Sequence, residues 1–164
     1  MAADRIEREV LIEAPVEVVW RVVTEPEHIV RWFADVVEVD PRPGGLGVLT
    51  FENQASNRPA VVPIVVQVVE PPRRFAFRWG FAPPPAPPPV AETATEPGRS
   101  ILVEFTLTAE DGRTRLRVVE SGMLAMGWSD AALAEYEESH RKGWDTHLER
   151  LVDYAARLAG VGAR

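Results

Sequence analysis

Apolar residues change their spacing along this chain, and each change marks an element. Ile6 to Glu13 alternates loosely and is rich in β-branched residues, which predicts a strand. Pro15 follows, a residue suited to the first turn of a helix because its missing N–H would have no partner there. Val16, Val19, Trp20 and Val23 then recur at helical spacing, with Trp20 read as a wedge between helices. Thr24-Glu25-Pro26 stops this helix, and Pro26 opens a second, short one that carries Ile29, Trp32 and Phe33. From Asp35 the period shortens to two. Asp35 to Asp40 and Val48 to Glu52 read as strands around the turn PRPGGLG, and Asn53 to Pro59 reads as a polar loop.

Ala60 to Glu70 is a Val-rich strand, buried on much of both faces. Pro63 within it argues for an edge or an early position, since proline donates nothing to a ladder. After the turn Pro71-Pro72-Arg73, Phe75, Phe77, Trp79 and Phe81 alternate with Ala76, Arg78 and Gly80, which predicts a strand with one aromatic face and Arg78 pointing outward. Ala82 to Gly98, APPPAPPPVAETATEPG, favours polyproline II and reads as a long loop. Ile101, Val103, Phe105 and Leu107 mark the next strand. Glu110-Asp111-Gly112 is a hairpin turn, and Leu116, Val118 and Glu120 share a face of the last strand. Ser121 to Trp128 is a loop, after which Ser129 or Asp130 can cap a long helix. Along that helix Tyr136, His140, Trp144, His147, Leu148, Leu151, Ala155 and Leu158 form one stripe.

The order is strand, two helices, six strands, long helix. Strands joined by short turns pair antiparallel, and seven strands need one face covered. The expected architecture is α+β: a curved seven-stranded antiparallel sheet wrapped around a long C-terminal helix, with two short helices between strands 1 and 2. The length of 164 residues fits one domain spanning residues 1–164, with the proline-rich segment 82–98 inside it.

Charge narrows the partners. The net charge of −7 is the wrong sign for phosphate backbones, so nucleic acid is an unpromising partner. The hydrophobic fraction of 46% is globular, yet no apolar run is long enough to span a bilayer, and the charged start MAADRIEREV lacks a leader-like apolar run. With no cysteine, disulfides and thiolate metal sites are excluded, and two histidines seven apart do not make a metal site. A soluble cytoplasmic protein without metal or cofactor is expected. A protein partner or a homodimer stays open.

One long helix over a curved sheet leaves room for a hollow. The side chains that would converge on it are Trp32, Phe51, Phe77, Trp79, Phe105, Val118, Met123, Trp128, Tyr136, His140 and Trp144. Aromatic walls with few polar groups are what a small-molecule pocket needs. Two of the converging groups could also carry chemistry. Glu120 either marks the solvent-exposed rim of its strand or points inward, where a carboxylate must be paired or wet and could contact a ligand or act as a base. His140 is either a satisfied core histidine or a ligand-contacting group. Gly44-Gly45-Leu46-Gly47 lacks the lysine and Ser/Thr of a phosphate loop, and no Gly-x-Ser-x-Gly elbow is present. Glu135, Glu137 and Glu138 read as a solvated helix face.

The segments APVEVVW (Ala14 to Trp20), TEPEHIVRWF (Thr24 to Phe33), PGG (Pro43 to Gly45) and GWDTHLERL (Gly143 to Leu151) resemble the START-like, or SRPBCC, superfamily. Within it the chain is most similar to the family related to the activator of the heat-shock-protein-90 ATPase. The resemblance implies the helix-grip fold and a small hydrophobic molecule or lipid held between sheet and long helix, for sequestration, transport or sensing. It leaves two alternatives: a cyclase-, aromatase- or hydrolase-like enzyme, for which Glu120 and His140 are the candidates, or a chaperone-partner module. The loop from Ala82 to Gly98 is longer than the family pattern and would sit at the cavity mouth as a flap.

Overall fold

The structure, a computed structural model, describes residues 4–52, 60–80 and 100–162. Seven strands form one open antiparallel sheet in the order β1-β7-β6-β5-β4-β3-β2. They are β1 (Arg5–Ile12), β2 (Val36–Val39), β3 (Leu46–Phe51), β4 (Ala60–Glu70), β5 (Arg74–Gly80), β6 (Ser100–Glu110) and β7 (Arg113–Ser121). Two short helices, α1 (Val16–Thr24) and α2 (Pro26–Ile29), lie between β1 and β2, and α3 (Asp130–Gly162) closes the chain. This is the α+β architecture expected from the hydrophobic spacing. The loop at 53–59 and the proline-rich flap at 82–98 lie outside the described residues.

Period-two patterning sets the inner face of the sheet. Phe75, Phe77 and Trp79 are buried while Arg78 turns away, its guanidinium 3.4 Å from the Ser100 hydroxyl. Pro63 stands opposite Val48 of β3, one residue before β5 pairing begins at Ile64, so the ladder with β5 starts beyond the missing N–H. A register shift between Val66 and Val68 interrupts the ladder with β5 and bends β4. The β6–β7 hairpin turns on Asp111 and Gly112, both at positive φ (51° and 80°), the backbone of a two-residue turn that matches strand twist.

The helices close over this face. Val19, Val22 and Val23 of α1 are buried. Trp20 is only half-buried, and it meets Phe75 of β5 edge-on at 6.3 Å. The Trp32 indole donates to the Val22 carbonyl at 2.9 Å, which fixes the chain leaving α2 against α1. His28 Nδ1 lies 2.6 Å from the Tyr154 hydroxyl and ties α2 to α3. Of the two candidate caps for α3, Ser129 does the capping: its Oγ accepts the Ala132 N–H at 3.1 Å. Leu133, Trp144, Leu148, Leu151 and Ala155 bury the inner stripe of α3. On the opposite side Glu135 and Glu138 are exposed and Glu137 is half-buried. Arg8 of β1 donates to Asp145 at 2.6 Å, which pins the first strand to the last helix.

No helix among the described residues is long and apolar enough to cross a membrane.

Candidate functional site

The space beneath α3 is largely filled by rings. Phe33, just after α2, is the hub of this packing. It stacks on Trp32 (5.0 Å), Trp144 (5.4 Å) and Trp79 (5.8 Å), and meets Phe51 and His147 edge-on at 5.4 and 5.0 Å. Such offset and edge-on pairs add about 0.5–1.5 kcal/mol each beyond their buried area. Deeper in, Phe77, Phe105 and Trp32 border a void of only about 20 Å³. The usable space lies to one side. A cavity of about 280 Å³ opens between α3 and strands β3 to β5. Its sheet-side wall is Phe51, Val62 and Trp79, capped by Phe33, and its helix-side wall is Ser139, His140, Gly143, Trp144 and His147.

The sequence-predicted lining residues therefore fall into three sets. Phe51, Trp79, His140 and Trp144 border the cavity. Trp32, Phe77 and Phe105 border the deep void. Val118 and Met123 are fully packed core, and Trp128 and Tyr136 pack on each other with ring centres 4.9 Å apart. Phe33 and His147 were visible in sequence as apolar-face residues but not as walls. Gly143 carried only one signal, a glycine in mid-helix where alanine would be about 1 kcal/mol better. A Cβ at Gly143 would meet nothing within 4 Å. The missing side chain is part of the cavity.

Glu120 lies under the same helix face and adjoins the cavity, since His140 and Trp144 belong to both. The rim reading fails: Glu120 is 0% exposed. It pairs with Ile6 of β1 on one side and Val103 of β6 on the other, so the sheet continues past it in both directions. α3 covers it from above with three donors at successive turns. The Tyr136 hydroxyl donates to Oε2, the Trp144 indole donates to Oε1 at 2.9 Å, and His140 Nδ1 lies 3.1 Å from the carboxylate. A carboxylate accepts only, so it selects the His140 tautomer with the proton on Nδ1. The Tyr136 ring stacks on His140 at 3.7 Å. Burial pushes the Tyr136 phenol well above its ordinary range and the adjacent Glu120 charge adds to this, while the Trp79 indole bonded to the same hydroxyl pulls the other way. The phenol therefore remains a donor.

His147 differs. Its Nδ1 is buried without a hydrogen-bond partner. Burial lowers its pKa from the ordinary value of 6.5, opposed by the backbone carbonyl of Trp32. Among the described residues no cluster of three or more His, Cys, Asp or Glu could hold a metal ion.

Comparison with known proteins adds the following. The profile of the family described as activator of Hsp90 ATPase homolog 1-like protein matches residues 13–156. The comparison with curated proteins gives no match. Among solved structures, protein MLL2253 from Mesorhizobium loti is 22% identical, with a TM-score of 0.71 over 93% of this chain and 97% of its own. Protein CV1439 from Chromobacterium violaceum is 21% identical, with a TM-score of 0.72 over 93% and 97%. DynU16, from the dynemicin biosynthetic locus, is 26% identical, with a TM-score of 0.67; the alignment covers 93% of this chain but 47% of DynU16.

Proposed function

This chain belongs to the activator of Hsp90 ATPase homolog 1-like protein family, and from that premise we propose that it binds a small, largely apolar molecule between α3 and strands β3 to β5. The observation that carries the reading is the cavity of about 280 Å³ with aromatic walls and a glycine facing it from the helix. Its size is close to the lower end of small-molecule pockets, about 300 Å³. Phe33, Trp79 and Trp144 give the cavity an apolar aromatic wall, while His140 and His147 supply polar contacts. DynU16, a protein from a biosynthetic locus, is in keeping with a small-molecule role.

Gly143→Leu tests this. The side chain would extend into the cavity from open space, and the helix gains from losing glycine. Neutral naphthalene-sized aromatics should raise the melting temperature of the wild type in proportion to the logarithm of their concentration. The variant should melt at or slightly above the wild-type temperature and not respond. Equal responses from both proteins would sink the reading.

A second reading rests on the Glu120–His140 contact. A carboxylate that holds the proton on Nδ1 makes Nε2 the basic nitrogen of a histidine on the cavity wall, the arrangement of a general base oriented by an acid. With a 2-naphthyl ester as the probe, hydrolysis by water to the naphthol and acid that the wild type speeds and His140→Gln does not would favour a hydrolase-like activity.

A further inference from the structure

A second cavity of about 300 Å³ adjoins the first, and the two share Phe33, Phe51 and His147 as walls. Its chemistry is different. Arg31, just after α2, and Arg150, on α3, line it together with Asp35 and Glu52. Arg8, Arg74, Arg115 and Arg117 elsewhere on the surface are held in ion pairs. Arg31 and Arg150 form none among the described residues. Asp35 is already engaged, its carboxylate accepting the Glu52 backbone N–H at 2.7 Å. At the junction of the two cavities is His147, whose buried Nδ1 lacks a partner within the protein.

We propose that the two cavities form one amphipathic site for an aromatic monocarboxylic acid, its rings in the aromatic cavity and its carboxylate between Arg31 and Arg150. The proposal rests on the ligand-binding reading above and names the ligand class. A guanidinium presents a planar fork that matches a carboxylate, so two unpaired forks at one mouth fit an acid better than an alcohol or amide. Asp35 and Glu52 set the limit on charge, because a second carboxylate on the ligand would meet them.

Isothermal titration of 2-naphthoate and of 2-naphthamide, which has the same shape without the charge, tests this. The wild type should bind the acid about tenfold more tightly than the amide, a gain that shrinks in high salt. Arg31→Gln/Arg150→Gln should remove the preference while leaving the amide affinity unchanged. Equal binding of acid and amide by the wild type, or a preference that survives in the double variant, overturns the proposal. If Gly143→Leu abolishes binding of both ligands and the wild type shows no preference, the cavity reading stands and the acid falls. If neither ligand binds the wild type, both fall together.

Discussion

Two ends of one helix face treat polar groups in opposite ways. At the N-terminal end of the α3 stripe, Tyr136, His140 and Trp144 converge on Glu120, and each has its bond. Less than one turn beyond Trp144, half-buried His147 also packs on rings, yet its Nδ1 has no partner. A buried polar group that is satisfied within the chain contributes to a unique core, and one that is left open adds a cost that a bound molecule can remove. The Glu120 cluster anchors the helix, and the space kept beside it is bordered by His140 and Trp144 as well as by His147.

The comparison can be broken most severely at the anchor. Glu120→Ala strands three donors in an apolar setting and should lower unfolding free energy by about 3–5 kcal/mol, read from the denaturant midpoint. A loss below about 1 kcal/mol would mean that the network does not hold the helix. A sharper contrast comes from removing one histidine at each end. His140→Leu takes a donor from the buried carboxylate and should cost about 1–3 kcal/mol. His147→Leu removes an unpartnered Nδ1 together with one bond to the Trp32 carbonyl and should cost no more than about 1 kcal/mol. Equal losses would erase the distinction.

The smallest effect is one of pH. Burial holds the folded-state pKa of His147 below the unfolded value of 6.5. Between the two values the unfolded chain binds more protons, so stability rises with pH through that window. The contribution is complete above 6.5 and is lost as pH falls toward the folded-state value. Subtracting the pH–stability curve of His147→Leu from that of the wild type should isolate this slope. A flat difference curve below 6.5 would show that His147 titrates as it does in water.

Most of the fold was legible because periodicity reports which face is inward. The alternation of Phe75, Phe77 and Trp79 marked β5 as a strand with one aromatic face, whose inward turn only the packing fixed, and the stripe from Tyr136 to Leu158 gave the inner face of α3. Parity likewise turned Glu120 inward along with Leu116 and Val118. Parity says nothing about depth, and whether Glu120 met water depended on β1, β6 and α3 arriving around it. The shape of the cavity was less legible still. It depends on how far the rings around Phe33 fill the space, and that is a sum of volumes across five elements. Phe33 itself follows a four-residue helix, too short for a stripe to declare its direction.

The pairing of β1 with β7 has a consequence for how the chain is made. Arg5 lies opposite Ser121, 116 positions further along. β2 to β5 pair with neighbours in sequence and can zip locally, but β1 has only one partner strand, and that strand is the last. At synthesis rates of about 5–20 residues per second, β1 waits on the order of 10 s for its partner to be made. Closing so long a loop is entropically expensive, and contacts of this range slow folding. Until β7 arrives, an amphipathic strand stands with both edges open, the state in which a nascent chain is most prone to pair with the wrong partner.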